Sequence, residues 1–343
     1  MTAGAKPVKC VVWDLDNTLW DGVLLEGDHV SLRPEIVDVI KILDERGILH
    51  SIASRSDYEK AMEKLSEFGL ADFFLFPQIN WGPKSVSVAH VAEQLNIGTD
   101  ALAFIDDDQF ELDEVAAGVE GVLCLDAKAA VELADLTRMQ PRFITEDSRQ
   151  RRANYRAEIR RQEAAEEMAP TEFLRSLGMV FTIAEAETSD LARVEELTVR
   201  TNQLNSTGVT YSFEELDALR NSQEHLLLIA GLDDRYGSYG KIGIALVDKS
   251  SDAWILRLLL MSCRVMSRGV GKVLLTHILE QAAAESDRVV ADFVRTPQNR
   301  PIYLMFKMAG FDETDLDGAV ARLEHDLSVI DPIPDWVELK LGG

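Results

Sequence analysis

Over its first third this chain alternates short apolar runs with amphipathic stretches. "VKCVVW", "LHSIA", "FFLF", "LAFI" and "VLCL" fall between residues 8 and 125. Unbroken apolar runs of that length predict strands buried on both faces. Between two of them, "YEKAMEKLSEFG" places Tyr58, Met62, Leu65 and Phe68 on one helical face and ends at Gly69, a C-cap signal. This alternation predicts right-handed βαβ units and a parallel sheet covered on both sides. Ligands of such sheets bind beyond the carboxyl ends of the strands.

Near residue 145 the pattern changes. "EDSRQRRANYRAEIRRQEAAEEM" is charged throughout and predicts one exposed helix, arginines first and glutamates after. It reads either as a solvated connector laced with i,i+4 ion pairs or as a positive face that docks an acidic partner. From about residue 168 a second αβ region begins. "ARVEELTVRTNQLN" predicts a helix, and "HLLLIAGL", "IGIALVD" and "AWILRLLLMS" predict successive strands with hairpin connections. The predicted organisation is a domain over 1–145, a charged linker helix over 146–167 and a second domain over 168–343.

Composition narrows the function classes. The 343 residues are 46% hydrophobic and 27% charged, as in an ordinary globular protein. A formal net charge of −24 lacks the basic footprint that nucleic-acid binding needs. Cys10, Cys124 and Cys263 are too widely spaced for a disulfide framework or a common zinc site. "MTAGAKPVKC" has no signal-peptide h-region, and no apolar run is long enough for a bilayer, so a cytoplasmic setting without membrane contact is expected.

The chemistry gathers at the predicted strand ends. "VVWDLDNTLW" sets Asp14 and Asp16 one residue apart past the first run, with Thr18 two further on. "SIASRSD" puts Ser54 at the end of the second run, "NWGPKS" supplies Lys84, and "ALAFI" leads into Asp106, Asp107 and Asp108. These are the parts that phosphoryl transfer needs. A carboxylate can attack phosphorus and form an aspartyl-phosphate, while a second protonates the leaving oxygen and then activates water. Mg²⁺ takes hard oxygens from one or two carboxylates plus phosphate and water. Lysine and hydroxyl donors offset charge on the phosphoryl oxygens. A DxDxT string alone also suits a helix N-cap or a turn; four such elements in order, each at a strand end, point to a site.

"WDLDNTLW", "SIASRSD", "WGPKS" and "FIDDDQFE" resemble the four motifs of the haloacid-dehalogenase (HAD) superfamily of aspartate-nucleophile phosphotransferases. The resemblance implies Asp14 as nucleophile and Asp16 as general acid/base, with Thr18 and Ser54 holding phosphoryl oxygens. It implies Lys84 as the neutralising cation, and Mg²⁺ bound by Asp14, Asp16 and the Asp106/Asp107 pair. "DGVLLEGDHVSLR" leaves room only for a small flap hairpin, and the stretch from Ser54 to Lys84 holds one helix, one strand and a loop. Neither houses a large cap. The expected site is open, suiting a bulky substrate, a phosphoprotein or a second domain acting as lid.

In the second half, "LLLMSCRVMSRGVGKVLLTHILEQA" predicts a strand ending near Ser262, a turn with Gly269 and Gly271, and a helix. Such glycines let backbone N–H groups approach a phosphate, and equally serve a tight turn. "NRPIYLMFKMAGF" resembles the closing helix and strand of the GNAT N-acetyltransferases, folds that cradle pantetheine. Met266 stands where their loop usually carries Arg or Gln, which counts against acetyl-coenzyme A. Cys263 falls where the resemblance implies the thioester end of pantetheine. It reads either as a small buried hydrophobe or, with Arg264 and Arg268 near it in sequence to lower the thiol pKa, as a nucleophile. Cys10 and Cys124 lie within strand patterns and are expected in the core.

The expected fold class is therefore α/β: a HAD-type Rossmannoid parallel-sheet domain without a large cap, followed by a GNAT-like αβ domain. The whole stretch from "KCVVWDLDNTLWDGV" through "ITEDSRQRR", "RTNQLNSTG" and "LMSCRVMSRGVG" resembles the FkbH-like proteins. That resemblance implies a glyceryl transferase/phosphatase. It would take a glyceryl unit from 1,3-bisphosphoglycerate and load it, dephosphorylated, onto the phosphopantetheine of an acyl carrier protein for polyketide biosynthesis. An acyl phosphate is already activated, and the chain has no GxxxxGK[ST] loop for ATP. Asn202, Gln203, Asn205, Arg264, Asn299 and Arg300 are candidates for binding the glyceryl hydroxyls or the pantetheine arm; the asparagines equally suit helix or turn caps. A plain Mg²⁺-dependent phosphatase and a non-catalytic interaction protein are the alternatives.

Overall fold

The computed structural model describes residues 6–27, 29–166, 168–201, 203–317 and 320–342, with only the backbone at 315–317. The chain divides into two compact units, Met1–Arg156 and Ala157–Gly343.

The first unit begins with β1 (Cys10–Trp13), all four residues buried. A small antiparallel flap follows, β2 (Trp20–Asp21) against β3 (Ser31–Leu32). Then come α1 (Pro34–Glu45), β4 (Leu49–Ser54), α2 (Tyr58–Glu67), β5 (Gln78–Ile79), α3 (Lys84–Leu95), β6 (Leu102–Asp106), α4 (Gln109–Gly118) and β7 (Leu123–Asp126). The five longer-range strands form a parallel sheet in the order β5-β4-β1-β6-β7, as an alternating pattern predicts. Trp13 lies opposite both Ile52 and Ile105, so the register carries Asp14 and Asp106 to one level on neighbouring strands. Beneath them the Trp13 indole donates to Nδ1 of His50 at 3.1 Å, and His50 Nε2 meets the Ile40 carbonyl at 3.0 Å. Burial lowers the His50 pKa to about 4, so a neutral ring satisfies the buried indole.

Two local expectations change. "FFLF" is not a strand: residues 71–73 form a 3-10 turn, Phe74 makes a single bridge to His50, and Phe76 takes φ +50°. The run is apolar because Phe74 and Leu75 are buried, and the strand starts two residues later. In α2, Ala61 and Leu65 face the core, whereas Tyr58 is exposed.

The charged segment forms α5 (Glu146–Arg149) and α6 (Arg151–Glu166), followed by α7 (Pro170–Ser176), and several of its arginines pair with acids distant in sequence. Arg152 holds both oxygens of Asp44 at 2.9 and 3.1 Å and stacks on Phe73, and Arg156 pairs with Asp72. In the second unit, Arg161 grips Asp234 at 2.7 and 2.9 Å with both side chains fully buried, its guanidinium over the Tyr239 ring. These three guanidinium groups are neutralised by acids of the chain itself.

The second unit continues with β8 (Met179–Glu185), α8 (Leu191–Arg200), α9 (Phe213–Arg220), β9 (His225–Asp234), β10 (Gly237–Asp248) and β11 (Trp254–Met261). It closes with α10 (Val270–Ala282), β12 (Val289–Val294), α11 (Arg300–Met308), β13 (Asp312–Asp317), β14 (Val320–His325) and β15 (Val337–Leu341). These eight strands form one mixed sheet, β13-β14-β12-β11-β10-β9-β8-β15. The β9–β10 and β10–β11 hairpins are antiparallel, as the hairpin connections predict. The parallel pair β11/β12 is joined only from Trp254↔Val289 to Leu256↔Ala291, then parts. Helix α8 stops at Arg200, and Leu204–Ser206 enters the gap instead. Met261 N–H donates to the Leu204 carbonyl at 2.8 Å, Ser206 N–H to Leu259 O at 2.9 Å, and Val294 N–H to Ser206 O at 2.9 Å. Among the described residues, no helix is long and apolar enough to cross a membrane.

Candidate active site

The first unit collects its chemistry at the carboxyl ends of β1, β4 and β6. Asp14 follows β1 directly, Ser54 ends β4, Asp106 ends β6, and Lys84 opens α3 behind Pro83. All four are nearly inaccessible to solvent. The Lys84 ammonium lies 2.8 Å from Asp14 Oδ1 and 2.6 Å from Asp106 Oδ2. The Ser54 hydroxyl also bonds to the Asp14 carboxylate. Asp106 Oδ1 accepts from the Asp108 backbone N–H at 3.0 Å.

Burial raises the pKa of Asp14, opposed by Lys84 and Ser54. Burial, reinforced by the neighbouring Asp14, lifts Asp106 to about 7 against the pull of Lys84. Burial alone would lower the Lys84 pKa, but the two carboxylates outweigh it and raise it. Asp14, Asp106 and the exposed Asp107 can each point an oxygen into a group with all separations within 4.8 Å. Hard oxygens from carboxylates crowded enough to repel one another are the donor set that Mg²⁺ takes, so these residues fit that cation.

Asp16 stands apart from this group. Its Oδ1 accepts from the Trp20 indole at 2.7 Å and from the Leu24 N–H at 3.1 Å, tying it to the flap. Asp16 lies outside this group, whose third acid is Asp107. Thr18 is fully buried, and its hydroxyl has no partner among the described residues, an orphan that a bound oxygen would satisfy.

Sequence reasoning overlooked the next layer. Arg55 pairs with Glu111 at 2.8 Å and donates to the Gly82 carbonyl at 3.4 Å. Glu114 accepts from the Ser85 N–H at 2.9 Å and from its hydroxyl. The two acids of α4 thus fix the loops that present Ser54 and Lys84. Their helical spacing, three residues apart behind the aspartate run, was the only signal.

In the second unit Cys263 is exposed, at the start of a 3-10 helix (Cys263–Arg268) just past β11. The buried-hydrophobe reading of Cys263 is excluded. Its arginine neighbours are committed elsewhere, however: Arg268 to Glu158 at 3.0 Å and to the Tyr239 hydroxyl at 3.1 Å, Arg264 to the Tyr239 carbonyl at 3.1 Å and to Ser262. Both guanidinium groups thus have partners within the second unit. Cys10 is fully buried and burial pushes its thiol pKa far up; Cys124 is half-buried, and burial raises its pKa to about 11.

The described asparagines take up the turn-capping role. Asn205 Oδ1 accepts from Gly208 N–H at 2.8 Å and Thr207 N–H at 3.2 Å, and its Nδ2 donates to the Thr201 carbonyl at 3.2 Å. Asn299 Nδ2 donates to Val294 O at 2.8 Å and Asn205 O at 3.2 Å, while its Oδ1 accepts from Thr296 N–H at 2.9 Å. Both are buried and bind backbone. Asn202 lies outside the described residues.

Residues 21–113, which include Ser54, Lys84, Asp106 and Asp107, match the family model of haloacid dehalogenase-like hydrolases. The parallel α/β first unit is HAD-like. Among curated proteins the chain is similar to the human Magnesium-dependent phosphatase 1, at 28% identity over 152 residues, 39% of this chain and 85% of that protein. A solved N-terminal part of a Bacteroides fragilis protein, containing a phosphatase domain complexed with Mg, is 29% identical with a TM-score of 0.35. The match covers 37% of this chain and 39% of that one. The ribosomal-protein-S18-alanine N-acetyltransferase of Escherichia coli aligns at 16% identity and a TM-score of 0.33, over 42% of this chain and 90% of its own.

Proposed function

We propose that this chain is a Mg²⁺-dependent HAD-type phosphatase coupled to acyl transfer. It takes a glyceryl unit from 1,3-bisphosphoglycerate, removes the remaining phosphate, and loads glyceryl as a thioester onto the phosphopantetheine of an acyl carrier protein for polyketide biosynthesis. The observation that carries the phosphatase half is Lys84 clamped between Asp14 and Asp106 at the carboxyl end of a parallel sheet, with Asp107 beside them.

In this reading Asp14 attacks phosphorus, and the P–O bond to the glyceryl oxygen breaks. Asp16, steadied by Trp20 and Leu24, gives that oxygen its proton. The Lys84 and Ser54 donors steady the charge on the phosphoryl oxygens. Water, deprotonated by Asp16, then hydrolyses the aspartyl-phosphate and releases inorganic phosphate. Mg²⁺, held by Asp14, Asp106 and Asp107, would supply charge neutralisation for the phosphoryl group.

The acyl-transfer half rests on the sequence resemblance and on the accessibility of Cys263, the exposed thiol of the three. Its thiolate would displace phosphate from the acyl phosphate and pass the acyl group to the carrier's thiol. The pairing of Arg264 and Arg268 with other groups favours a second reading, a plain Mg²⁺-dependent phosphatase.

Intact-protein mass spectrometry separates the two. Wild type, Cys263→Ala and Asp14→Asn are incubated with Mg²⁺ and freshly generated 1,3-bisphosphoglycerate. A glyceryl adduct on wild type that is missing from Cys263→Ala, with a phosphoglyceryl adduct on Asp14→Asn, is the expected result. Phosphate release by an unmodified wild type would leave only the plain phosphatase.

A further inference from the structure

The last turn of α1 carries a cavity that the phosphatase site does not use. Its volume is about 370 Å³, and it is lined by Lys41, Ile42, Glu45 and Arg46 on one side and by Ile144 and Arg149 on the other. All six belong to the first unit. Helix α1 ends just before β4 begins at Leu49, so the cavity lies at the amino ends of the strands, opposite the end that carries Asp14 and Asp106. Its two walls are fixed to each other. Gly47 packs against the Ser148 backbone, Arg151 Nη1 donates to the Gly47 carbonyl at 2.7 Å, and Thr145 and Ser148 close a capping box at the start of α5. The cavity is therefore formed before anything binds, which spares a ligand the cost of ordering it.

Its lining combines open apolar surface with surplus positive charge. Ile42 and Ile144, from separate elements, are 44% and 50% exposed into or beside one cavity. The chain has 59 acidic and 35 basic residues, yet this lining has three cations and one acid. Glu45 is taken up by Arg149 at 3.4 Å, which Glu146 also approaches at 3.6 Å. Arg46 donates to the carbonyls of Ala134 and Met139, so no carboxylate among the described residues offsets its charge. Lys41 has no acid within ion-pair reach among the described residues. A small inorganic anion would leave the isoleucines in water, and a purely apolar molecule would leave the cations unanswered. Charge complementarity selects a ligand that brings carboxylates and an apolar side chain together.

We propose that this cavity docks an acidic segment of a partner protein. One apolar side chain of that segment seats between Ile42 and Ile144, and carboxylates beside it face Lys41 and Arg46. The partner is thereby held at the end of the sheet away from the catalytic carboxylates and leaves the phosphatase mouth open.

The test is fluorescence anisotropy, with the full chain titrated into a short fluorescein-labelled peptide of glutamates and alanines bearing one central leucine. Wild type is expected to bind it at low salt with a Kd below about 100 μM. Replacing the leucine by alanine, or the glutamates by lysines, should weaken binding at least about tenfold. The Lys41→Glu/Ile144→Ala variant should lose at least about tenfold in affinity, and Lys41→Arg should keep it. Turnover of p-nitrophenyl phosphate with Mg²⁺ should be the same in all three proteins. No binding by wild type, equal binding of the three peptides, or equal binding by wild type and the double variant overturns the proposal. A wild type that dimerises in sedimentation velocity, with the double variant monomeric, gives the cavity to a second copy and overturns it as well. If turnover falls together with binding, the cavity is not separate from catalysis and the proposal fails. The binding readout stands whether or not wild type hydrolyses p-nitrophenyl phosphate, so it is independent of the phosphatase reading.

Discussion

Replacing Lys84 by methionine tests the electrostatics of the site without reference to any substrate. The substitution keeps the length of the side chain and removes the one cation between Asp14 and Asp106. Two ionised oxygens at 4.8 Å, the upper bound on their separation, repel by about 3.5 kcal/mol at an effective dielectric of about 20. Breaking a buried ion pair from one side costs roughly 3–5 kcal/mol in general, which agrees. The acids can escape by taking up a proton, so the loss must depend on pH. Asp106 already has a folded pKa of about 7, above the unfolded carboxyl value. A carboxyl raised on folding contributes stability at acid pH that disappears as pH rises through its folded pKa. Without Lys84 that pKa climbs further. The variant should therefore lie close to wild type at pH 5 and fall behind it by roughly 3–5 kcal/mol at pH 8. Guanidinium unfolding followed by far-UV circular dichroism in EDTA, at unit pH steps, measures this gap. Adding Mg²⁺ at pH 8 should narrow it, because a cation that binds only the folded site stabilises by mass action. A gap under about 1 kcal/mol at pH 8, or one equally large at pH 5, refutes the clamp.

The other predictions address single features. Iodoacetamide should label Cys263 rapidly in the native protein and leave Cys10 untouched until unfolding, as read by peptide mass spectrometry. Asp234→Ala strands the buried Arg161 and should cost roughly 3–5 kcal/mol in chemical unfolding, whereas Arg161→Met combined with Asp234→Leu should recover most of it. Gly47 has φ +73°, and a Cβ there would sit 2.5 Å from the Ser148 carbonyl oxygen. Gly47→Ala should therefore destabilise by about 1–3 kcal/mol, seen as a lower Tm.

The strand ends were legible in sequence because buried parallel strands are continuous apolar runs, so a carboxylate or hydroxyl at the end of one is conspicuous. Asp14, Ser54 and Asp106 show this directly. Lys84 was read instead from a loop, "NWGPKS", and opens α3 in the structure. "FFLF" misled because an apolar run records burial, and a 3-10 turn packed on a sheet buries its rings as a strand does. Partners of charges were out of reach: Asp44 and Arg152 stand 108 residues apart, and nothing local marks the pair. The same distance problem hid the partners of Arg264 and Arg268, Tyr239 and Glu158. Asn205 and Asn299 were ambiguous for a chemical reason, since an amide that can bind a hydroxyl can equally bind a backbone turn.

Where β11 and β12 part, each strand would turn an unpaired row of backbone groups toward the opening. Unpaired rows are templates on which foreign strands add, and an opening in mid-sheet would offer two of them. Leu204–Ser206 occupies that position with hydrogen bonds to both sides, and Asn205 and Asn299 hold it in place. Any arm that entered the opening would first have to displace a piece of the chain's own backbone.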